Sequence, residues 1–217
     1  MLVVKTYVVC YNLSNKGGVF IEYIKIKKKY SAGKIAFVQC LKNTSLSNID
    51  IKDKSFLLII LTKGRLEFSV GEKTVSATAP AFLCFDESEN PVLQLKLKAQ
   101  YTCIYFHPRF LNVNMTFDLL RSEEYTDIAT THDMFMLKPF IDKAYVIPIL
   151  DSQIENIVHS ADYMGYELEL QRDWYWSCRG RSYFMEVIIA LERMYGLLGY
   201  GKNKEKPDSY FKIENPR

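Results

Sequence analysis

The feature that most constrains the fold of this chain is a stretch from Ser55 to Pro108 in which apolar and polar residues alternate. It opens with an apolar run, Phe56 to Leu61, and turn-forming residues interrupt it every few positions. These interruptions lie at Lys63-Gly64, Gly71 to Lys73, Ala79-Pro80 and Asp86 to Pro91. Alternation with a period of two between such breaks predicts a series of short antiparallel strands. Strands of this kind bury their apolar face and shield their edges by curling into a barrel or forming a two-sheet sandwich.

The segments before and after this stretch differ in their sequence patterns. Before it, the β-branched and aromatic content of Leu2 to Tyr11, Val19 to Ile26 and Lys34 to Leu41 favours further strands of the same body. After Arg109 the strand pattern ends, and a polar loop is expected from Arg121 to Asp133. The β body with its trailing loop is therefore predicted to cover residues 1–147.

The last part of the chain is predicted to be helical from Pro148 onward. Asp151-Ser152 can cap a first helix, and apolar residues three and four positions apart predict a second from Arg179 to Leu198. The sequence thus predicts a mainly β fold with C-terminal helices. The helical segment is expected over residues 148–200, and the charged tract around Lys202 to Pro207 makes residues 201–217 linker-like.

The second predicted helix carries two apolar stripes. One stripe contains Phe184, Ile188 and Tyr195, and the other contains Val187, Leu191, Met194 and Leu198. One stripe is enough to cover the β body or the preceding helix, which leaves the other free to meet a partner helix. The second stripe is therefore predicted to meet a partner helix, and it is the candidate dimer interface if that helix belongs to a second copy of the chain. The alternative is that both stripes are buried within one subunit.

Composition excludes several classes of function. At 217 residues the chain is long enough for one large domain, and a net charge of +3 is too small to indicate nucleic-acid binding by this chain. Five cysteines without a CxxC pair indicate reduced, buried thiols. Residues 1–10 lack the pattern of a signal peptide, and the longest apolar run is far shorter than the ~20 residues that span a bilayer. We therefore expect a cytoplasmic protein that does not contact a membrane.

The sequence offers no catalytic or metal-binding motif. The three histidines, His107, His132 and His159, have no metal-ligand spacing, and Gly64 to Cys84 contains no histidine at all. The chain also lacks GxSxG, P-loop and GxGxxG motifs. These patterns favour a binding protein over an enzyme, with no metal and no cofactor.

The best candidate for a binding site is the interior of the β body. Along the strand Tyr101 to Phe106, one face carries Tyr101, Cys103 and Tyr105, and the other carries Thr102, Ile104 and Phe106. The first set offers two hydroxyl groups beside apolar surface, which is the mixture that orients a small molecule in a pocket. Phe37 and Gln39, on one face of an earlier strand, are predicted to line the same cavity. The alternative is that the tyrosines point outward.

Several segments follow one another in a distinctive order, namely Gly64 to Phe68, Ala79 to Phe85 and Ile104 to Leu111, and later Leu168 to Gln171 and Arg181 to Leu198. This order resembles the sensor domain of AraC-type transcription regulators. It implies a cupin-like double-stranded β-barrel followed by two helices that form a homodimer. It also implies an unknown small-molecule effector in the barrel, and a helix-turn-helix domain after residue 217 through which alone the protein binds DNA.

A second interpretation of the same fold remains. A stand-alone, metal-free cupin-fold enzyme, an isomerase or a lyase, would use a cleft with a perturbed acid or base such as His107. Fold alone does not separate a sensor from such an enzyme.

Overall fold

The computed structural model of the protein describes residues 37–42, 55–122 and 128–199. The predicted strands Leu2 to Tyr11 and Val19 to Ile26 lie outside the described residues, as do Cys10 and the predicted linker 201–217.

Six antiparallel strands form one sheet. They are β1 (Val38–Lys42), β2 (Phe56–Val70), β3 (Lys73–Thr78), β4 (Ala81–Phe85), β5 (Val92–Phe106) and β6 (Val146–Pro148). The strand order is β1-β5-β2-β4-β6, and β3 pairs with the second half of β2. The antiparallel strands predicted for this stretch are confirmed. The described part of the sheet is open, so it does not show a closed barrel.

Helices follow the last residues of β5. A single 3-10 turn (Pro108–Phe110) leads to α1 (Phe117–Ser122), α2 (Ile128–Met136) and α3 (Lys138–Ile141), and two long helices come after β6. These are α4 (Asp151–Leu170) and α5 (Trp176–Leu197). Gly199, at a φ of +78°, provides the left-handed residue that commonly ends a helix just past its last turn.

The two longest strands contain the bend of the sheet. The sequence predicts a break near Lys63-Gly64 and a strand that begins only at Tyr101, but β2 and β5 pair with each other on both sides of these positions. Register shifts fall on either side of Lys63, where the bulges bend the paired strands without ending them. Gly64 has a φ of +76°, and a Cβ there would lie 2.3 Å from the carbonyl oxygen of Leu97. Only glycine fits this position, because the backbones of the two strands approach each other too closely for a side chain.

This bend gives the sheet an inner face. The side of the sheet that carries Tyr101, Cys103 and Tyr105 is called the inner face below. Apolar side chains from the other strands cluster on it, namely Leu41, Leu57, Ile59, Leu61, Leu66, Phe68, Val75, Leu83 and Phe85. The rings of Phe68 and Phe85 lie 5.4 Å apart, although they belong to the second half of β2 and to β4, which pairs with the first half. The curled sheet therefore packs one half of itself against the other.

The opposite side of the sheet, which we call the helix face, is covered by the helices. Phe106 is central to it: its ring lies 5.5 Å from Phe56, 5.4 Å from Phe140 and 4.7 Å from Phe184. Phe56 also stacks on Phe140 at 4.9 Å. These aromatic contacts join β2 and β5 to α3 and α5. Offset and edge-to-face pairs of this kind stabilise a core beyond the burial of their area.

Three expectations about the architecture need correction. Helical residues outnumber strand residues in the described chain, so the fold is mixed α/β and not mainly β. The expected polar loop from Arg121 to Asp133 overlaps α2. Met134, near the C-terminal end of this helix, packs into the core. Pro148 does not begin the helical segment but ends β6, since the short strand adds to the edge of β4 before α4 begins. Both elements escaped prediction because each owes its position to tertiary packing.

The predicted dimer stripe also needs correction. Val187 and Leu191 are 0% exposed and Met194 is 6% exposed, so these three side chains lie in the core of the chain. Only Leu198, at 47% exposed, keeps surface to bury against a partner. The other stripe is buried as well, with Phe184 and Ile188 at 0%. Both stripes are buried within one subunit because α5 packs against α4 and also against residues of the helix face such as Phe106.

Replacing Gly64 tests the bend. We expect Gly64→Ala to lower the free energy of unfolding by about 2–5 kcal/mol, from the left-handed φ and the overlap with Leu97. Gly71→Ala is the matched control, because Gly71 has a φ of +58° with no atom within 4 Å of the added Cβ. It should cost only about 1 kcal/mol. Urea unfolding measures both; equal losses would show that the close approach of the backbones is unimportant.

Truncating the predicted stripe tests where its residues lie. Leu191→Ala should reduce the free energy of unfolding by about 2–5 kcal/mol, because it opens a cavity in the core. Leu198→Ala should cost less than about 1 kcal/mol, because that side chain is already half exposed. Chemical unfolding with light scattering distinguishes stability from oligomeric state. A folded Leu191→Ala protein of unchanged stability and altered assembly would contradict the placement.

Candidate functional site

The inner face brings together most of the residues predicted for a binding site. Tyr101, Cys103 and Tyr105 all lie on it and are buried, whereas Ile104 and Phe106 point to the helix face. The predicted alternation along β5 is confirmed. The tyrosines do not point outward into solvent, since Tyr101 is 1% exposed. The amine of Lys96 lies 5.0 Å from the centre of the Tyr101 ring, within the range of a cation–π contact.

Strand β1 adds the residues predicted from the earlier strand. Gln39 lies directly opposite Tyr105 in the ladder, and Leu41 lies opposite Cys103, so Gln39 shares the inner face with the tyrosine. Phe37 precedes β1 and is half exposed, with its ring 6.0 Å from that of His107. Phe37 therefore lies at the rim of the sheet, while Gln39 and Tyr105 form a polar pair at one end of the inner face.

The cysteines of the described chain divide into two kinds. Burial raises the pKa of the Cys84 and Cys103 thiols well above the usual range. Burial and, to a smaller extent, the negative charge of Asp162 together raise the pKa of the Cys40 thiol to about 12. Thiols of this kind stay protonated and are poor nucleophiles. Cys178 is exposed, so the expectation of buried thiols fails at that position.

His107 has a structural contact that explains its environment. Its Nδ1 accepts a hydrogen bond from the backbone N–H of Arg109 at 3.1 Å and so caps the 3-10 turn. Its ring packs edge-on against Phe117 at 4.8 Å, on the helix side of the sheet. Partial burial and the nearby Arg109 charge lower the pKa of His107. The imidazole is therefore held in the neutral form that the capping contact requires.

This contact predicts a pH dependence. Because the folded chain lowers the pKa of His107, the unfolded chain binds more protons, and stability contributed by His107 falls as pH drops below about 6.5. His107→Asn keeps a capping acceptor but cannot titrate. We expect the wild type to lose more stability than His107→Asn between about pH 7.5 and pH 5. Parallel losses in urea unfolding at each pH would contradict this role.

A second site, not predicted from the sequence, is the turn between β4 and β5. Asp86 and Glu89 are buried there, and the backbone N–H of Asp86 donates to Glu89 Oε2 at 3.0 Å. The Tyr145 hydroxyl donates to Glu89 Oε1 at 2.5 Å, and Lys143 Nζ lies 3.6 Å from the same oxygen. Burial and the Glu89 carboxylate raise the pKa of Tyr145 to about 12, so the phenol keeps its proton.

Arg121 connects this turn to α1. Its Nη2 lies 3.4 Å from Asp86 Oδ2 and also forms an ion pair with Glu87 Oε1. Between the turn, α1 and the α3–β6 connection lies an open cleft of about 570 Å³. Its lining consists of Asp86, Glu87, Ser88, Leu120, Arg121, Ile141 and Lys143. We call this space the turn cleft.

The turn cleft illustrates what the sequence pattern did not indicate. Asp86 to Pro91 resembles an ordinary solvated turn, since acidic residues between strands are usually exposed. The sequence signal for this site is the density of negative charge: three carboxylates fall within four residues, and their charges need partners from elsewhere in the chain. Arg121 and Lys143 come from segments 30 or more residues away, and nothing local ties them to the turn.

The comparisons with known proteins do not assign a family to this chain. No family model matches the sequence, and the search of curated proteins found no match. Within the described ranges, no group of three His, Cys, Asp or Glu side chains could hold a metal ion. The helices in those ranges are all too short or too polar to cross a bilayer.

Proposed function

We propose that this chain is the effector-sensing and dimerisation domain of an AraC-type transcription regulator. In this proposal the curled sheet is part of a cupin-like barrel that binds a small effector, and the helical segment forms a homodimer. A helix-turn-helix domain in the intact protein would bind DNA. The observation that carries the proposal is a bent antiparallel sheet with a polar pair on its inner face and a long helix pair on the other.

The inner face supplies the chemistry of the effector site. Gln39 and Tyr105 lie opposite each other, beside the apolar surface of Leu41 and Phe85. An amide and a phenol next to aliphatic and aromatic groups orient a small neutral ligand by hydrogen bonds while its apolar part is buried. Tyr101 and Cys103 continue this surface inward.

Strand β1 supplies the route by which the effector acts on the helices. Gln39 faces the inner side, but the neighbouring Cys40 faces α4, where its Sγ lies 3.8 Å from the carbonyl oxygen of Ala161. Lys42 forms an ion pair with Asp162 at 2.5 Å. A Cβ on Gly165 would lie 3.4 Å from Cys40 Sγ, which shows how closely β1 and α4 pack. An effector that prefers one position of β1 shifts α4 with it.

The exposed face of the helix pair supplies a surface for the dimer in place of the buried stripe. Tyr163 lies on α4 with its ring 4.3 Å from His159 and 5.4 Å from Tyr183 of α5, and Tyr166 lies 6.5 Å away. Tyr163 and Tyr166 are both more than two-fifths exposed. Tyrosine is enriched in the cores of protein interfaces because it buries much area with little loss of side-chain entropy. We place the homodimer contact on this tyrosine face.

The enzyme interpretation has less support. Its candidate acid or base, His107, uses Nδ1 to cap a turn and packs against Phe117 on the helix side of the sheet. A histidine placed there does not face the Gln39 and Tyr105 pair on the inner face. The geometry of this pair favours binding over acid–base catalysis.

Native mass spectrometry tests the two halves of the proposal together. The wild-type chain should be dimeric and should retain a small molecule from its expression host. Tyr163→Glu should make it monomeric without loss of fold, because a charge would be buried at the contact. Val113→Glu is the control, since Val113 is exposed in a loop away from α4. A monomeric wild type, or a dimer that both variants leave intact, would contradict the dimer surface.

The effector half is tested at the polar pair. Gln39→Leu and Tyr105→Phe each remove hydrogen-bonding atoms without removing much volume. Each should weaken retention of the ligand about tenfold, because the loss of one buried polar contact costs about 1–2 kcal/mol. Ligand retention that is unchanged in both folded variants would place the effector elsewhere.

A further inference from the structure

The turn cleft contains a carboxylate that its protein partners do not fully satisfy. The Glu87 side chain is 7% exposed and lines the cleft. Its Oε1 pairs with Arg121, but its Oε2 is buried and has no hydrogen-bond partner among the described residues. A buried charged acceptor without a donor is costly, so such an atom is a site where an added donor gains stability.

The charges around the cleft also leave an excess of one sign. Asp86, Glu87 and Glu89 contribute three negative charges, and Arg121 and Lys143 contribute two positive charges. All three carboxylates are at least nine-tenths buried, so solvent screens them weakly. An ammonium group beside Glu87 would offset this excess locally, and Glu87 is the member of the cluster with an oxygen to receive it.

The cations of the cleft have donors to offer in turn. Both ion pairs of Arg121 use Nη2, so its Nη1 and Nε make no hydrogen bond within the described part of the chain, and the side chain is 41% exposed. Lys143 is 47% exposed and touches Glu89 only at 3.6 Å, which is long for a direct hydrogen bond. Lys143 can therefore turn toward an anion in the cleft without losing a short contact, and Arg121 can offer Nη1 and Nε while its Nη2 stays paired with Glu87.

We propose that the turn cleft binds a small zwitterionic amino compound of the α-amino-acid class. The ammonium group donates to Glu87 Oε2, and the carboxylate accepts from Arg121 and Lys143. The side chain of the ligand packs on Leu120 and Ile141, which favours an aliphatic group. In this proposal the Glu87 side chain turns to bring its buried Oε2 to the cleft, while Arg121 stays paired with the carboxylate. A volume of about 570 Å³ is in the range of small-molecule sites.

This site is separate from the effector site of the inner face, and it does not depend on the proposed regulatory function. Tyr145 is the contact between the two regions. Its hydroxyl binds Glu89 of the turn, while its ring lies 6.1 Å from Phe85 of the inner face.

Calorimetric titration with L-leucine and two truncated analogues tests the ligand class. 4-Methylpentanoate lacks the ammonium group, and 3-methylbutylamine lacks the carboxylate. L-Leucine should bind, and each analogue should bind at least about tenfold more weakly, because each leaves one charged end of the site without its partner. Equal binding of either analogue would overturn the zwitterion proposal. So would the absence of binding by L-leucine, L-valine and L-methionine up to about 10 mM.

Two variants locate the site. Glu87→Gln should weaken L-leucine binding about tenfold, whereas Glu72→Gln, in the exposed β2–β3 turn, should leave it unchanged. Lys143→Asn is the second variant in case Glu87→Gln unfolds, because asparagine tolerates the φ of +54° at this position. It should weaken L-leucine more than 3-methylbutylamine, since only the former has a carboxylate. Wild-type affinity in folded Lys143→Asn and Glu87→Gln would place the ligand elsewhere.

Discussion

The close approach of β2 and β5 at Gly64 is the constraint on which the rest of the structure depends. The two strands remain paired through the bulges, so the bend turns both strands together and does not divide the sheet. It brings Phe68 against Phe85 and thereby creates an inner face with its own apolar cluster. Without this curvature, the apolar side chains of the inner face would not pack against each other, and the helices of the described ranges cover only the other side of the sheet.

Local alternation predicted what depends on the strands themselves. The division of β5 into a tyrosine face and an Ile104–Phe106 face follows from period-two geometry alone, and the structure confirms it. The length of β5 was missed, because Lys98 to Gln100 resemble a turn until β2 is seen to continue beside them. The α5 stripes show the same limit: periodicity identifies apolar positions but does not say whether the second contact is with α4 or with another molecule.

The residues of the turn cleft escaped prediction for a different reason. Charge pairs between distant segments have no periodic signature in the sequence. The acidic turn gains its cationic partners only when α1 and the α3–β6 connection fold against it. Arg121 pairs with two carboxylates at once, and the Tyr145 hydroxyl donates to a third. Buried carboxylates of this kind hold a loop firmly, since removing any one cation would leave a desolvated charge behind.

The two-sided character of β1 limits how this strand can move. Gln39 and Cys40 are neighbours in sequence, yet Gln39 lies on the inner face and Cys40 packs on α4. Sliding β1 by one residue along β5 would exchange their faces, placing the amide against the helix and the thiol on the inner face. Such a slip would destroy both contacts at once. A displacement of β1 that keeps both contacts must therefore keep its register along β5, so the contacts of Gln39 and Cys40 change together.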